Sequence, residues 1–191
     1  MSVTRLSFPY GEAVQWYTPE KIAPLPASAF REWLLSTGSL TKKLREQCLQ
    51  FEVRVLGEGN LMPLVGELPQ QQQTWVREVL LCLDGTPWVF ARTLIPAELM
   101  SQSQSDFMGL GTRPLGELLF TSDQFTPGHI EACHFTPCNK LAALVEQLQQ
   151  DAAQPLWGRR RYFEHHDSQL IVSEIFLPAA QAAIEALPQQ A

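Results

Sequence analysis

A chain of 191 residues, 45% hydrophobic and 18% charged, is long enough for one domain with a real core and too apolar to be disordered. A formal net charge of −6 and a pI near 5.2 argue against nucleic acid or an anionic membrane surface as a partner. A small anion held by local arginines stays admissible, because a low-dielectric pocket outweighs the distant net charge. The opening stretch MSVTRLSFPYGEAVQWY has no apolar run of signal-peptide length and no segment reaches a membrane span, so a soluble, cytoplasmic protein is expected.

In chain order, the first 25 residues or so are dotted with proline and predict an irregular arm lying on the domain. Ser28 is a candidate cap for a helix to about Leu35, which puts Phe30, Trp33 and Leu34 on one side. Thr37-Gly38 stops it, and Ser39 caps a second helix beginning at Leu40, LTKKLREQCL. Its free backbone N–H groups suit an anion, although an ordinary capped helix is the simpler reading. From Gln50 to Leu56, Phe51, Val53 and Val55 alternate with Glu52 and Arg54, a half-buried strand; Gly57 to Gln73 reads as a connector.

Thr74 to Pro96, TWVREVLLCLDGTPWVFARTLIP, is the strongest signal in the chain. Two apolar runs flank Asp84-Gly85, which suits a two-residue hairpin turn. In that register Leu83 pairs with Thr86, Leu81 faces Trp88, Val79 faces Phe90 and Arg77 faces Arg92. Opposed guanidinium groups repel and cannot shed a proton, so something negative is expected near them, a carboxylate of the protein or an anionic ligand.

Beyond a polar Ser/Gln-rich loop, GLGTRPLG (109–116) leads into an apolar helical turn, Glu117 to Phe120. It is no phosphate loop, since no Gly-Lys-Ser/Thr follows. His129, Cys133, His134 and Cys138 crowd together, but Pro137 prevents one helix from presenting all four, and there is no Cys-x-x-Cys knuckle. A surface-loop reading is preferred and no metal is expected; Cys48 and Cys82 do not extend the cluster into a disulfide framework. Leu141, Leu144, Val145 and Leu148 mark an amphipathic helix from about Asn139 to Ala153. Gly158 to Glu164 and Gln169 to Leu177 read as strands joined by a turn at His165 to Ser168, with residues 179–191 a tail. Leu170, Val172, Glu174 and Phe176 share a face of the second strand. A carboxylate there needs an ion-pair partner, Arg77 or Arg92, or else a functional role.

Four ordered blocks, WVREVLLCLDGTPWVFARTLIP, TRPLGELLFTS, LWGRRRYFE and VSEIFLPA, preceded by GSLTKKL, resemble the chorismate pyruvate-lyase family from about Trp33 to Ala179. Those enzymes convert chorismate to 4-hydroxybenzoate and pyruvate at the head of ubiquinone biosynthesis. The resemblance implies a single α+β domain across residues 1–191, with an antiparallel sheet, helices covering one face, a buried ligand site and no cofactor. Carried over position by position, the family's carboxylate-binding arginine falls on Arg77 and the leucine offering a backbone N–H falls on Leu115. The glutamate at the product hydroxyl falls on Glu174, and the N-terminal contact, a methionine in other members, on Leu40. Arg92, expected beside Arg77, is the candidate for chorismate's second carboxylate. Ala91 stands where glycine is expected and would narrow the pocket, and the stretch from Phe120 to Trp157 is longer than the family pattern. A monomer is expected, with chorismate and 4-hydroxybenzoate as its small-molecule partners.

Two chemical routes fit these residues. Glu174 acts as base or hydroxyl anchor in an elimination, or the substrate passes its own C4 hydrogen to the enolpyruvyl methylene within a restrained conformer. The competing class is a non-enzymatic effector-binding domain of the kind found in bacterial transcription regulators. Those carry a helix-turn-helix domain, for which the arm before the first helix is too short.

Overall fold

The computed structural model describes residues 8–187 apart from 24, 27, 70 and 71. Six strands form one antiparallel sheet in the order β1-β2-β3-β6-β5-β4: β1 Phe51–Leu61, β2 Thr74–Leu83, β3 Thr86–Pro96, β4 Thr126–Phe135, β5 Leu156–His165 and β6 Ser168–Phe176. Seven helices accompany it among the described residues: α1 Ser28–Leu34, α2 Leu40–Arg45, α3 Ala97–Gln102, α4 Gln104–Met108, α5 Leu115–Thr121, α6 Lys140–Gln147 and α7 Pro178–Glu185. This is the α+β architecture expected from the sequence.

Every residue of β2 is buried, because both faces of the sheet are covered. On one face Val53, Val79, Leu81, Val89 and Phe176 pack against Phe30 and Leu34 of α1, Leu40 and Leu44 of α2 and Ile184 of α7. Farther along that face Trp75, Ile95, Phe163 and Leu170 meet Leu99 of α3, Phe107 of α4 and Leu119 of α5. The other face carries α6, through Leu141, Leu144 and Val145 against Leu80, Phe90 and Ile175, together with the N-terminal arm. The arm also guards an edge: Tyr17 bridges to Ala132 on the outer side of β4.

The Asp84-Gly85 turn forms as expected. Both residues are left-handed, at φ 48° and 82°, and the Asp84 carboxylate accepts the backbone N–H groups of Leu49 and Gln50. The register beyond it differs from the expected one. Leu83 does pair with Thr86, but Cys82 pairs with Pro87 and Leu81 with Val89, so Trp88 is an extra residue. Proline has no N–H for the ladder and the strand bulges beside it. The slip turns the rest of β3 over: Arg77 lies across from Thr93, and Arg92 across from Glu78. The opposed arginine pair therefore does not exist.

Several boundaries also differ. β1 continues to Leu61 through a bulge between Val55 and Gly57, into what reads as connector. The polar loop after Pro96 holds α3 and α4. The Cys/His cluster is mostly strand β4, α6 stops at Gln147, and the tail holds α7 with Pro178 at its first turn. α1 begins at Ser28, whose side chain lies outside the described parts of the structure.

Candidate active site

Strand pairing lays two rows of side chains across the helical face of the sheet. One row runs Glu58, Arg77, Thr93, Val172, Arg161 from β1 to β5; the next runs Val79, Ala91, Glu174, Arg159. Cross-strand neighbours on one face sit within side-chain reach, so these rows are the floor of a site. Its roof is the pair α2 and α5. Ser39 caps α2 by accepting the Lys42 N–H at 3.3 Å, and Pro114 precedes α5, which presents Leu115 and Gly116 downward. The helices touch closely: a Cβ on Gly116 would sit 2.7 Å from Thr41 Oγ1. At the surface Arg45 and Glu117 join them at 2.7 Å, a half-exposed pair worth little in stability.

The enclosed space has two narrow lobes of about 30 Å³ each, which share Thr41, Gly116, Val172 and Glu174. Arg77, Ala91, Thr93 and Leu115 line the first lobe; Leu40, Phe120, Arg159 and Arg161 line the second. Each lobe has room for about one water, so α2 and α5 must part for a ring to enter. A larger hollow of about 650 Å³ opens on the opposite face beside Arg160 and Tyr162, and it contains none of the residues expected to bind substrate.

Charge is concentrated in the two lobes. Arg77 is 3% exposed, and its guanidinium donates to Glu58 Oε2 at 2.8 Å and to the Gly111 carbonyl at 2.6 Å. Glu174 is buried and takes its countercharge from Arg159, with Nε 2.9 Å from Oε2. That Nε–H is poorly aligned with the oxygen, so Coulombic attraction leads in the pairing. Burial pushes the Glu174 carboxyl above the ordinary carboxylate range, with Arg159 first and Arg161 second in opposing it. Arg159 is fastened to the end of α1 through Ser36 O at 2.8 Å and Trp33 O at 3.4 Å, and Arg161 donates to Thr37 O.

A family model described as chorismate lyase matches residues 11–183. Proteins described as probable chorismate pyruvate-lyase are 65% identical in Shewanella loihica, over 98% of this chain and 100% of that one, and 34% identical in Pseudoalteromonas atlantica, over 92% of each. The chain belongs to the chorismate lyase family. Two solved structures resemble this family member in fold. They are the C-terminal domain of the histidine utilization repressor from Pseudomonas syringae pv. tomato and the effector domain of PhnF from Mycobacterium smegmatis. The first has a TM-score of 0.53 and 13% identity over 74% of this chain and 99% of that one; the second 0.52 and 16% over 76% and 91%. At such identity the likeness is one of fold alone.

Within this chorismate lyase family member, Arg77, Leu115 and Glu174 come together in the first lobe, and Leu40 joins Glu174 in the second. Arg92 does not join them. On the opposite face it is gripped by Glu67, at 2.6 and 3.0 Å, and by Glu78 at 2.7 Å, while Glu78 also accepts the N–H groups of Tyr10 and Gly11. Arg92 ties the arm and the loop around Glu67 to the sheet. Nor does Glu174 pair with Arg77 or Arg92, because Arg159 is its cross-strand neighbour. Arg159 and Arg161 are the charged residues that reading the sequence overlooked. The signal was present: in GRRRYFE on a strand, alternate arginines share a face.

The cysteine and histidine cluster is taken up by packing. Cys133 is buried against α6, His134 stacks on Trp157 with centroids 4.1 Å apart, and His129 stacks on Tyr162 at 4.0 Å. Cys138 is exposed. Among the described residues no group of three or more His, Cys, Asp or Glu is placed to hold a metal ion.

Proposed function

We propose that the protein splits chorismate into 4-hydroxybenzoate and pyruvate, and that the two-lobed pocket under α2 and α5 is where it does so. The observation that carries this reading is the first lobe. A buried arginine, a buried glutamate and the opening residue of α5 converge there in a chain that belongs to the chorismate lyase family. Arg77 would hold the ring carboxylate in place of Glu58. Leu115 lies at the start of α5, where backbone N–H groups have no carbonyl behind them, and would donate to the same carboxylate. Glu174 would anchor the C4 hydroxyl, para to that carboxylate, and Leu40 closes the far side.

The reaction balances without an oxidant or reductant. The C4–H and C3–O bonds break, the ring becomes aromatic, and the departing enolpyruvate gains a proton at its methylene to become pyruvate. The pocket would contribute restraint and exclusion of water. Glu174 acts as a positioned anion in this reading, with Arg159 fixing it, rather than as the base. The enzyme would then work as a cytoplasmic monomer without a cofactor, at the first step of ubiquinone biosynthesis. The test is to incubate purified protein with chorismate and quantify both products. Equimolar 4-hydroxybenzoate and pyruvate are expected; an unchanged chorismate pool refutes the reading.

A further inference from the structure

We propose that Arg161 is the cation of a second carboxylate subsite, so that the pocket is matched to a ring carrying two carboxylates rather than one; the orientation of the ring rests on the lyase reading above. The charge inventory is the starting point. Arg77 has Glu58 at 2.8 Å and Arg159 has Glu174 at 2.9 Å. Among the described residues Arg161 has no carboxylate within ion-pair distance, although it is only 6% exposed and its Nε is buried without a hydrogen-bond partner. Its guanidinium lies beside the edge-to-face rings of Phe120 and Phe163, 5.4 and 5.7 Å from their centroids, and one nitrogen donates to Thr37 O. A guanidinium cannot escape burial by losing its proton, so one that only shares the Glu174 charge with Arg159 and has no close ion pair of its own is costly beside a closed pocket. A ligand carboxylate would supply what is missing.

The other end of the pocket completes the balance. Glu58, which occupies Arg77, is at the rim with its side chain 39% exposed, so it turns to water at little cost when a ligand carboxylate arrives. Arg113 also lines the first lobe but is exposed to solvent; the three buried guanidinium charges (Arg77, Arg159, Arg161) against the one carboxylate of Glu174 then leave two positive charges. A dianion neutralises both; a monoanion leaves one.

Position agrees with charge. Arg77 on β2 and Arg161 on β5 occupy one row, separated by β3 and β6, so their Cα atoms are three strand spacings or roughly 14 Å apart, which two long side chains close from either end. Glu174 is common to both lobes. With the ring carboxylate at Arg77 and the C4 hydroxyl at Glu174, the C3 ether beside that hydroxyl points into the lobe of Arg161. The enolpyruvyl carboxylate would be held there, and pyruvate would depart from there. The subsite binds and orients; it forms no covalent bond with the ligand.

The experiment is calorimetric titration of the full chain with 3-carboxymethoxy-4-hydroxybenzoate and with 3-methoxy-4-hydroxybenzoate, which share a ring and an ether but differ in the second carboxylate. The wild type should prefer the dicarboxylate by at least about 30-fold, and Arg161→Gln should erase that preference, weakening the dicarboxylate far more than 4-hydroxybenzoate. Arg161→Lys should keep part of the preference. A preference that survives in Arg161→Gln, or equal weakening of all three ligands, overturns the subsite. If Arg161→Gln does not fold, the wild-type comparison decides, and no preference overturns it. Chorismate turnover measured alongside separates the two readings. Preference without turnover removes the lyase reading and leaves the subsite; turnover without preference removes the subsite alone.

Discussion

Arg92→Ala should unfold the protein more readily while leaving ligand affinity intact. In the structure Arg92 is the shared cation of Glu67, 10% exposed, and Glu78, fully buried. Among the described residues, truncation leaves the Glu78 carboxylate with the backbone N–H groups of Tyr10 and Gly11 as its hydrogen-bond donors. Breaking a buried pair from one side costs roughly 3–5 kcal/mol, and those two surviving bonds argue for the lower end, about 3 kcal/mol. In a chain of this length that corresponds to a fall in Tm of roughly 6–12 °C. The loss should shrink when Glu78→Gln is added, since the stranded charge is then gone. Thermal melts of wild type, Arg92→Ala and the double variant, each paired with a 4-hydroxybenzoate titration at a temperature where all are folded, make the assay. A variant with an unchanged Tm that no longer binds 4-hydroxybenzoate would refute the face assignment and return Arg92 to the site.

Arg77→Ala should give a folded protein that binds 4-hydroxybenzoate more weakly by at least about 2 kcal/mol in a titration, because a charged partner is lost from a desolvated site. Glu174→Gln should reduce kcat modestly and Glu174→Ala severely, whereas a loss of roughly 10²-fold or more in the Gln variant would make Glu174 the base. Because burial raises its carboxyl, Glu174 takes up a proton at a pH above the ordinary carboxylate range as pH falls, so kcat/KM should show an acid limb displaced upward that Glu174→Gln lacks. Gly116→Ala drives a methyl against Thr41 Oγ1, so α2 and α5 should be forced apart, seen as a lower Tm by roughly 1–3 kcal/mol of destabilisation and as weaker product binding. Activity should survive EDTA; loss with EDTA and recovery with zinc would point back to Cys133 and Cys138.

The hairpin was legible because Asp-Gly between apolar runs has few other solutions, and the turn forms as the residues require. Its register was not, because pairing outward from a turn assumes an unbroken ladder and Pro87 breaks it three residues from Asp84. One extra residue exchanged the faces of Arg92 and Thr93, and with them a structural arginine for a site arginine. β4 was missed because an edge strand beginning TPGH carries polar residues and a Pro-Gly pair, which read as loop. α7 is alanine-rich, PAAQAAIE, so its apolar stripe is faint, although Pro178 at its start is a helix signal. The family blocks alone made Leu40 and Leu115 candidates, whereas strand periodicity also singled out Arg77 and Glu174. Placing Arg159 and Arg161 beside them needed β6 and β5 in register, which only the folded sheet supplies.

The most direct measurement of the central claim is a crystal structure with 4-hydroxybenzoate bound. The account places the ligand carboxylate on Arg77 with Glu58 turned away, the hydroxyl on Glu174, and α2 and α5 further apart than in the arrangement described above. A ligand seated instead in the hollow beside Arg160 and Tyr162, with Arg77 still paired to Glu58, would contradict it.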